Sequence, residues 1–586
     1  MKSIANIILK INTLSLMSIL VLGSYEANAA RYIVVMKDQK AFVNADQQFR
    51  LSNRMKLSSL RLSGVQGRVI APFQNTDADI ESSLENVQTI IINTDNERDL
   101  DVLANSSLVA SVEKEKFYKM PKPVLGFTLT KAWSFDARYI RHGHNNGRTV
   151  ALGQNTPWGI QAVKAPQAWE KGNYGTGVKV LVLDTGVDKD HPALKDNFLT
   201  GKNFFPVPAK PYAYADDEGH GTHCSGTIGA SLASDGFVGV APKVSLLMGR
   251  VCGTMVDPAS GEAVNGCSNA SIVQGIDYGI AQKVDVISMS LGGPTGSPAE
   301  AQAMQRAEKA GIAVVAASGN SNDEYPGEVG FPAAYPTVIA VGAINSKIQK
   351  ADFSQYGPEL DIVAPGVDVR SSVPMGTGRD SFIVLTVNGV EQSVKSSAFS
   401  GTPVFESAVS NELVYGGLGK PEEIPDSVRG KFALIVRGDL TFVEKVKNAI
   451  DKGAAGVVIY NHSDGLMSGT ASEDGSVKIP VVMIEKSVGE QLKAKLDSHI
   501  SVAASVKTVP ADYSNFDGTS MATPHVAGVV ALMKAANKAL KPAKILEILK
   551  MTTQSLPSPN NEMGAGLVDA EKAVTKAKEI STVDLH

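Results

Sequence analysis

Five short apolar runs recur through the middle of the chain, at residues 178–183, 244–248, 284–288, 312–316 and 338–341. Segments with helical spacing separate them. Short runs that are apolar on both sides, alternating with helices, predict βαβ units around a parallel sheet covered on both faces. The rhythm begins at Pro157 and breaks near Met375. Residues 377–508 follow a different pattern, with Thr-, Val- and Ser-rich strands, a helix at 442–452 and strands at 455–460 and 479–484. From Tyr513 the first pattern returns, with a strong helix running to Met533. A segment with its own strands, set between two halves of an α/β pattern, is an inserted domain. Upstream, strands at 31–36, 87–93 and 108–113 with helix-compatible spacers predict a small α+β unit, and residues 118–146 read as a linker.

The N-terminus combines Lys2 and Lys10, an apolar run from Leu14 to Leu22, and Ala27-Asn28-Ala29. A basic start, a short apolar core and a small-x-small site describe a secretory signal peptide. The run is about half of what a membrane span requires. The expectation is an exported protein with no membrane segment.

Composition narrows the rest. With 586 residues the chain is long enough for several domains, and 43% hydrophobic against 20% charged residues permits packed cores. The 56 Lys and Arg against 60 Asp and Glu give a net charge of −4, which excludes broad attraction to nucleic acid or an anionic membrane. Only three Cys are present, so no disulfide scaffold holds the fold.

Four short motifs carry chemistry. Asp184 ends the first apolar run and is followed by Thr185-Gly186. A carboxylate there lies where open α/β sheets place their sites, although a lone Asp serves equally as a helix cap. Asp-Thr-Gly also marks aspartic proteases, but a second copy is lacking. His220 lies in Asp-Glu-Gly-His-Gly-Thr-His-Cys-Ser-Gly-Thr, where small neighbours allow close approach. His220 and His223 could be zinc ligands by type, but neither an intervening Glu nor a third ligand motif accompanies them. Ser520, in Asp-Gly-Thr-Ser-Met-Ala-Thr-Pro-His-Val-Ala-Gly, opens a marked helix with Pro524 expected in its first turn. Its hydroxyl would sit beside unpaired backbone N–H groups, either as a cap or where negative charge develops. Asn320 closes Val-Val-Ala-Ala-Ser-Gly-Asn and offers an amide donor. Ser290-Leu291-Gly292-Gly293 ends another strand, with glycines that leave room for an extended peptide.

Taken together these motifs resemble the subtilisin-like serine proteases, the subtilases, from about Pro157 to Asp569 outside the insertion. Phe331-Pro332-Ala333-Ala334-Tyr335-Pro336, Ala364-Pro365-Gly366 and Gly564-Ala565-Gly566-Leu567-Val568-Asp569 fit the same pattern. The resemblance implies a subtilisin-like doubly wound, mostly parallel α/β sheet. It also implies a triad of Asp184, His220 and Ser520, an oxyanion donor at Asn320, and a substrate-binding strand at Ser290, Leu291, Gly292 and Gly293. Gly330 matches the floor of the primary pocket, which predicts a preference for Leu, Phe or Tyr.

Residues 31–117 resemble the inhibitor-like propeptide, an α+β ferredoxin-like unit, and Gly430–Asn461 carries motifs resembling a β-rich protease-associated (PA) domain, used for substrate access or as a lid. The expected organisation is a signal peptide at 1–29, propeptide at 30–118, linker at 119–152, catalytic domain at 153–376 and 509–586, and inserted PA domain at 377–508. Self-cleavage is expected near Leu152–Gly153, with residues 149–152 lying along Ser290–Gly293. Cys252 and Cys267 flank a Gly-rich loop and are expected to bridge, leaving Cys224 as a small buried thiol. The chemistry requires no cofactor. The family's tight calcium site is not matched, because Ala193 and Ala233 stand where side-chain ligands are usual; a weak structural calcium site at Asp361 is the expectation instead. The whole predicts a monomeric, secreted serine endopeptidase acting on proteins or peptides, with its own propeptide as inhibitor and folding chaperone. A subtilase-fold esterase or transpeptidase, and a binding protein on an inactive scaffold, are the rival readings.

Overall fold

The computed structural model describes residues 30–43, 78–119, 156–232, 237–256, 263–463, 465–467, 469–472, 475–556 and 561–580. The expected signal peptide, Ala233 and the Leu152–Gly153 bond lie outside these residues. Among the described residues, no helix is long and apolar enough to cross a membrane.

Two compact units divide the chain, residues 1–115 and 116–586. In the first, β1 (Arg31–Met36), β2 (Asp79–Leu84), β3 (Thr89–Asn93) and β4 (Val109–Lys114) form an antiparallel sheet in the order β2-β3-β1-β4. Helix α1 (Glu97–Ala104) starts at Asn96, whose side chain accepts from the Arg98 N–H. Val34, Met36, Ile90, Ile92 and Leu103 make the core. The unit ends a few residues before the expected boundary at 118, because β5 (Phe117–Lys119) joins a sheet of the second unit.

The centre of the second unit is a seven-stranded parallel sheet. Its strands are β6 (Lys179–Asp184), β7 (Phe198–Asn203), β8 (Ser245–Arg250), β11 (Val286–Met289), β12 (Ala313–Ala317), β13 (Val338–Ile344) and β14 (Ile362–Pro365). Their order is β14-β13-β12-β11-β6-β8-β7. Here β9 (Cys252–Val256) and β10 (Ala263–Ser268) form a hairpin that carries β5 on its outer side, in the order β5-β10-β9. After β6 the chain builds one side of the sheet and then crosses to build the other. The carboxyl end of β6 is therefore a topological switch point, where open α/β sheets leave a crevice. Asp184 is the last residue of that strand.

Helices cover the sheet. Helix α2 (His220–Gly229) follows the loop after β7, α3 (Asn269–Gln282) lies on the face carrying Leu181 and Leu183, and α4 (Pro298–Lys309) packs on α3 and β12. β15 (Val369–Ser372) then leads into the insertion. There β16 (Gly378–Val387), β17 (Val390–Val394), β18 (Ser396–Ala398), β19 (Val409–Tyr415), β20 (Phe432–Val436), β21 (Gly456–Tyr460), β22 (Val481–Ile484) and β23 (Val502–Ala511) make an eight-stranded sheet. Alternate residues of β20 and β21 feed two separate cores. Ala433, Ile435, Val457 and Ile459 enter one, and Phe432, Leu434, Val458 and Tyr460 the other. Helix α5 (Phe442–Asp451) begins with a capping box between Thr441 and Glu444, and α6 (Lys486–Asp497) follows β22.

Gly378 pairs with Ala511, so the insertion leaves and returns at one point. Just outside it, β15 pairs antiparallel with β24 (Tyr513–Phe516) from Val369↔Phe516 to Ser372↔Tyr513. That ladder closes the interruption and delivers the chain to α7 (Thr519–Ala536), which crosses β11 to β14 and packs on α2 and α8 (Ala570–Glu579).

Candidate active site

The site is built where three strand ends and two helix starts meet. Asp184 Oδ1 lies 2.7 Å from His220 Nδ1 and also accepts the Thr185 N–H at 2.7 Å. Asp184 is fully buried and His220 only 2% exposed. Burial opposes the imidazolium, but Asp184 and the neighbouring Cys224 together overcome it, so the His220 pKa is raised well above its ordinary 6.5. His220 is the first residue of α2. Gly219 precedes it at φ 89°, a left-handed conformation that favours glycine. Gly221 after His220 lets the start of α2 touch the loop that follows β6, since a Cβ there would stand 2.1 Å from the Gly186 carbonyl oxygen.

Ser520 is the second residue of α7. Its hydroxyl donates to the Ser290 carbonyl at 3.0 Å, and the Ser290 hydroxyl donates to the Ser520 carbonyl at 2.8 Å. The expectation that Pro524 sits in the first turn needs correction, because Pro524 is the sixth residue of this helix. There it withholds the N–H that would have bonded Ser520 O four residues back. The freed carbonyl takes Ser290 Oγ and the thiol of Cys224, 3.6 Å away. A helix-breaking residue thus ties the Ser520 backbone to β11 and α2.

Asn320 follows β12, half-buried. Its Oδ1 accepts from both the N–H and hydroxyl of Thr519, at 2.9 and 2.7 Å. This orientation leaves the amide NH2 to donate. Ser290 and Leu291 are buried, but Gly293 is committed on one side: its N–H and C=O both pair with Phe331 at 2.8 Å. Gly330 donates to the Ser318 carbonyl at 2.8 Å, and a Cβ there would lie 3.3 Å from the carbonyl oxygens of Gly293 and Ser318. Residues 149–152, expected along this strand, lie outside the described residues. Phe117–Lys119 instead pairs antiparallel with Gly266–Ser268 of β10, and the Tyr118 ring lies against Gly293.

The other histidines and cysteines take structural places. His223 Nε2 lies 2.9 Å from the Val369 carbonyl oxygen, and the ring stacks on Phe516. Burial and the neighbouring His220 lower its pKa to about 3. His525 is likewise lowered to about 4 by burial. Cys224 is buried with its Sγ 3.9 Å from His220 Nδ1, and burial pushes the thiol pKa up. It packs as a neutral thiol. Cys252 and Cys267 are bridged across the β9–β10 hairpin.

Asp361 is the expected weak calcium ligand. One oxygen accepts the Ala340 N–H at 2.9 Å and the other pairs with Lys550 Nζ at 2.5 Å. Ala193, fully buried, donates its N–H to His191 Nδ1 and offers no side-chain oxygen. Among the described residues the one cluster with metal-ligand chemistry is Asp184, His220 and Cys224, which is the site itself. These residues do not fit calcium.

Three supporting residues escaped the sequence reading. Asp216 accepts from the Thr185 and Thr222 hydroxyls and from the N–H groups of Glu218, Gly219 and Thr222, which joins the Asp184 loop to the start of α2. Glu218 accepts from Thr254 Oγ1 at 2.7 Å and Asn265 Nδ2 at 2.6 Å, and burial pushes its pKa up to about 7. Arg250, 1% exposed, donates to the Thr185 carbonyl at 3.0 Å. The one signal for the acids was their place just before the His-Gly-Thr-His string.

This arrangement matches known proteins. The profile described as Subtilase family matches residues 175–402, and that of the PA domain matches residues 406–492. Subtilisin Savinase of Lederbergia lenta is 45% identical over 224 residues, which covers 38% of this chain and 77% of that protein. Subtilisin NAT of Bacillus subtilis subsp. natto is 44% identical over 225 residues, 38% of this chain and 56% of the relative. The matched region thus spans little more than half the length of several of these relatives. The crystal structure of the psychrophilic subtilisin-like protease Apa1 from the Antarctic psychrotroph Pseudoalteromonas sp. AS-11 superposes with a TM-score of 0.53 at 26% identity. It covers 73% of this chain and 99% of that one.

Proposed function

Because this chain belongs to the subtilase family, we propose that it is a secreted serine endopeptidase, made as a self-processing precursor and acting on protein or peptide substrates with a preference for large apolar residues. The observation that carries this reading is the buried Asp184–His220 pair, 2.7 Å apart at the switch point, with Ser520 at the start of the facing helix.

In the proposed reaction the Ser520 hydroxyl turns from the Ser290 carbonyl to His220 Nε2, which takes its proton as Oγ attacks the scissile carbonyl carbon. Asp184 holds the ring so that Nε2 is the free base, and stabilises the imidazolium that forms. Negative charge on the carbonyl oxygen is received by the Ser520 N–H and the Asn320 amide, preset because Thr519 fixes Asn320 Oδ1. His220 then passes its proton to the leaving amine, and water repeats the sequence on the acyl-enzyme. The raised His220 pKa moves the onset of the base form to higher pH. Gly330 would leave the primary pocket open for Leu, Phe or Tyr, each worth about 1.5–3 kcal/mol of burial.

Labelling by a serine-directed phosphonate tests the reading. We expect one label per chain, lost in Ser520→Ala, and kcat on a denatured protein lower by roughly a millionfold in that variant. Cleavage sites should cluster after large apolar residues. Hydrolysis of esters but of no peptide bond would favour the esterase alternative. N-terminal mass of the secreted protein distinguishes processing near Leu152–Gly153 from processing just beyond Lys119.

A further inference from the structure

A second recognition element lies where β5 meets the cleft. Tyr118 is only 4% exposed, although it belongs to a short strand held by one edge. Gly293 makes room for its ring, since a Cβ there would stand 2.5 Å from Tyr118 Cδ1. The phenol hydroxyl then donates to Glu300 Oε2 at 2.9 Å. Glu300 is fully buried in the first turn of α4, and its N–H is capped by Ser297 Oγ at 3.3 Å. The positive end of that helix supports a carboxylate there. Tyr335 fixes the far wall, donating to the Ser297 carbonyl at 2.9 Å with its oxygen 3.5 Å from Glu300 Oε2.

The path of β5 is that of a bound peptide. It adds to the edge of β10 by backbone pairing, with one side chain turned into a pocket. The end of β10 is close to the chemistry: the Ser268 N–H donates to Val251 O, and the Val251 N–H donates to Asp184 O. Gly293 closes the segment that begins at Ser290, whose carbonyl holds Ser520 Oγ. We propose that Glu300 is a specificity-determining residue, the floor of a polar subsite that selects a tyrosyl side chain at the position Tyr118 occupies, in substrates as well as in the chain's own leader. This rests on the peptidase reading above. An aliphatic floor would accept Leu or Phe there. A buried carboxylate instead loses the Tyr118 hydroxyl as a donor when Phe replaces Tyr, and sites built around a hydroxyl reject the analogue lacking it.

Quenched peptides copying residues 113–126, with Tyr, Phe or Leu at position 118, test this on the processed enzyme. For wild type we expect kcat/KM to favour Tyr over Phe by roughly tenfold or more. Glu300→Gln, which keeps an acceptor without the charge, should leave a few-fold preference, and Glu300→Leu should reverse the order. The ratio is taken on one enzyme preparation, so a partly folded variant does not disturb it. Equal rates for Tyr and Phe in wild type, or an unchanged ratio in Glu300→Leu, would overturn the proposal. If neither the peptides nor a denatured protein is cut, the peptidase reading fails instead. A measurement without turnover still decides the subsite: in the full-length Ser520→Ala chain, Tyr118→Phe should speed amide exchange at residues 117–119 by roughly tenfold, and unchanged exchange would refute it.

Discussion

The parallel strands of the catalytic sheet and those of the inserted sheet are built alike, yet their carboxyl ends do different things. In the insertion the polar groups after β20 and β21 satisfy one another. Arg437 donates to Asn461 Oδ1 at 3.1 Å, Asn461 donates to the Gly465 carbonyl at 2.9 Å, and the buried ammonium of Lys445 is held by the carbonyls of Leu418 and Gly438. In the catalytic sheet the groups after β6, β11 and β12 converge instead on the first turn of α7. Asp184 serves His220, Ser290 holds Ser520, and Asn320 is fixed by Thr519 with its amide left over. The same layer physics yields a closed polar knot in one place and a set of poised donors and acceptors in the other. The difference lies in the switch point, which opens a crevice and aims a helix start into it.

The largest expected effect comes from breaking the poised set at its base. Asp184→Asn should lower kcat by about ten-thousandfold, because the imidazole is no longer held in the required tautomer. It should also shift the pH profile. In wild type kcat/KM should rise with pH as the His220 proton, held by Asp184, is lost; without the carboxylate that rise should move to lower pH. An unmoved limb in the residual activity would assign it to another group.

A matched pair of asparagines sharpens the contrast. Asn320→Ala should cost roughly a hundred- to a thousandfold in kcat with a small change in Tm. Asn461→Ala, in the insertion, should leave kcat alone and destabilise its domain by about 1–3 kcal/mol, since Arg437 and the Gly465 carbonyl both lose a partner. Equal effects on kcat would abolish the distinction between the two sheets.

Acid should then weaken the catalytic half before the insertion. His223 and His525 have folded pKa values of about 3 and about 4, below the ordinary 6.5. The unfolded chain therefore takes up their protons first, and native stability falls as pH drops from about 6.5 towards 4. The insertion's His462 and His499 are exposed. His220 acts in the opposite sense: its raised pKa contributes stability below the unfolded value, which is lost as pH rises through the folded one. In Asp184→Asn the burial that opposes the imidazolium is no longer countered by the carboxylate, so the His220 pKa should fall and add His220 to the histidines that the unfolded chain protonates first. Thermal scans between pH 4 and pH 8 check both statements.

The smallest effect is expected at Asp361. Lys550→Ala removes a half-exposed ion pair and should change stability by no more than about 1 kcal/mol, and a chelator should leave Tm nearly unchanged. A fall of many degrees with chelator, unaffected by Lys550→Ala, would reveal a metal site made from other oxygens.

The alternation of apolar runs with helices, and the ends of those runs, were legible because a fully buried parallel strand must be apolar throughout. For the same reason Asp184 and Asn320 stood out as polar residues closing apolar strings, and the break in rhythm marked the insertion. Contacts between distant segments were not legible. Nothing local marks Asp216 as the acceptor of Thr185 and Thr222, or Lys550 as the partner of Asp361. Periodicity reports which way a side chain faces, not what it meets. The same limit hid the role of Pro524, whose meaning depends on where α7 begins and on Ser290 reaching across from another strand. It also hid β5, a short strand with no pattern of its own, defined by the β10 edge it pairs with. The sequence by itself determined the layers, the interruption and the kinds of group at the site. Only the tertiary structure decided which of those groups meet, because a hydrogen bond between residues far apart in the chain depends on how strands and helices are ordered in space.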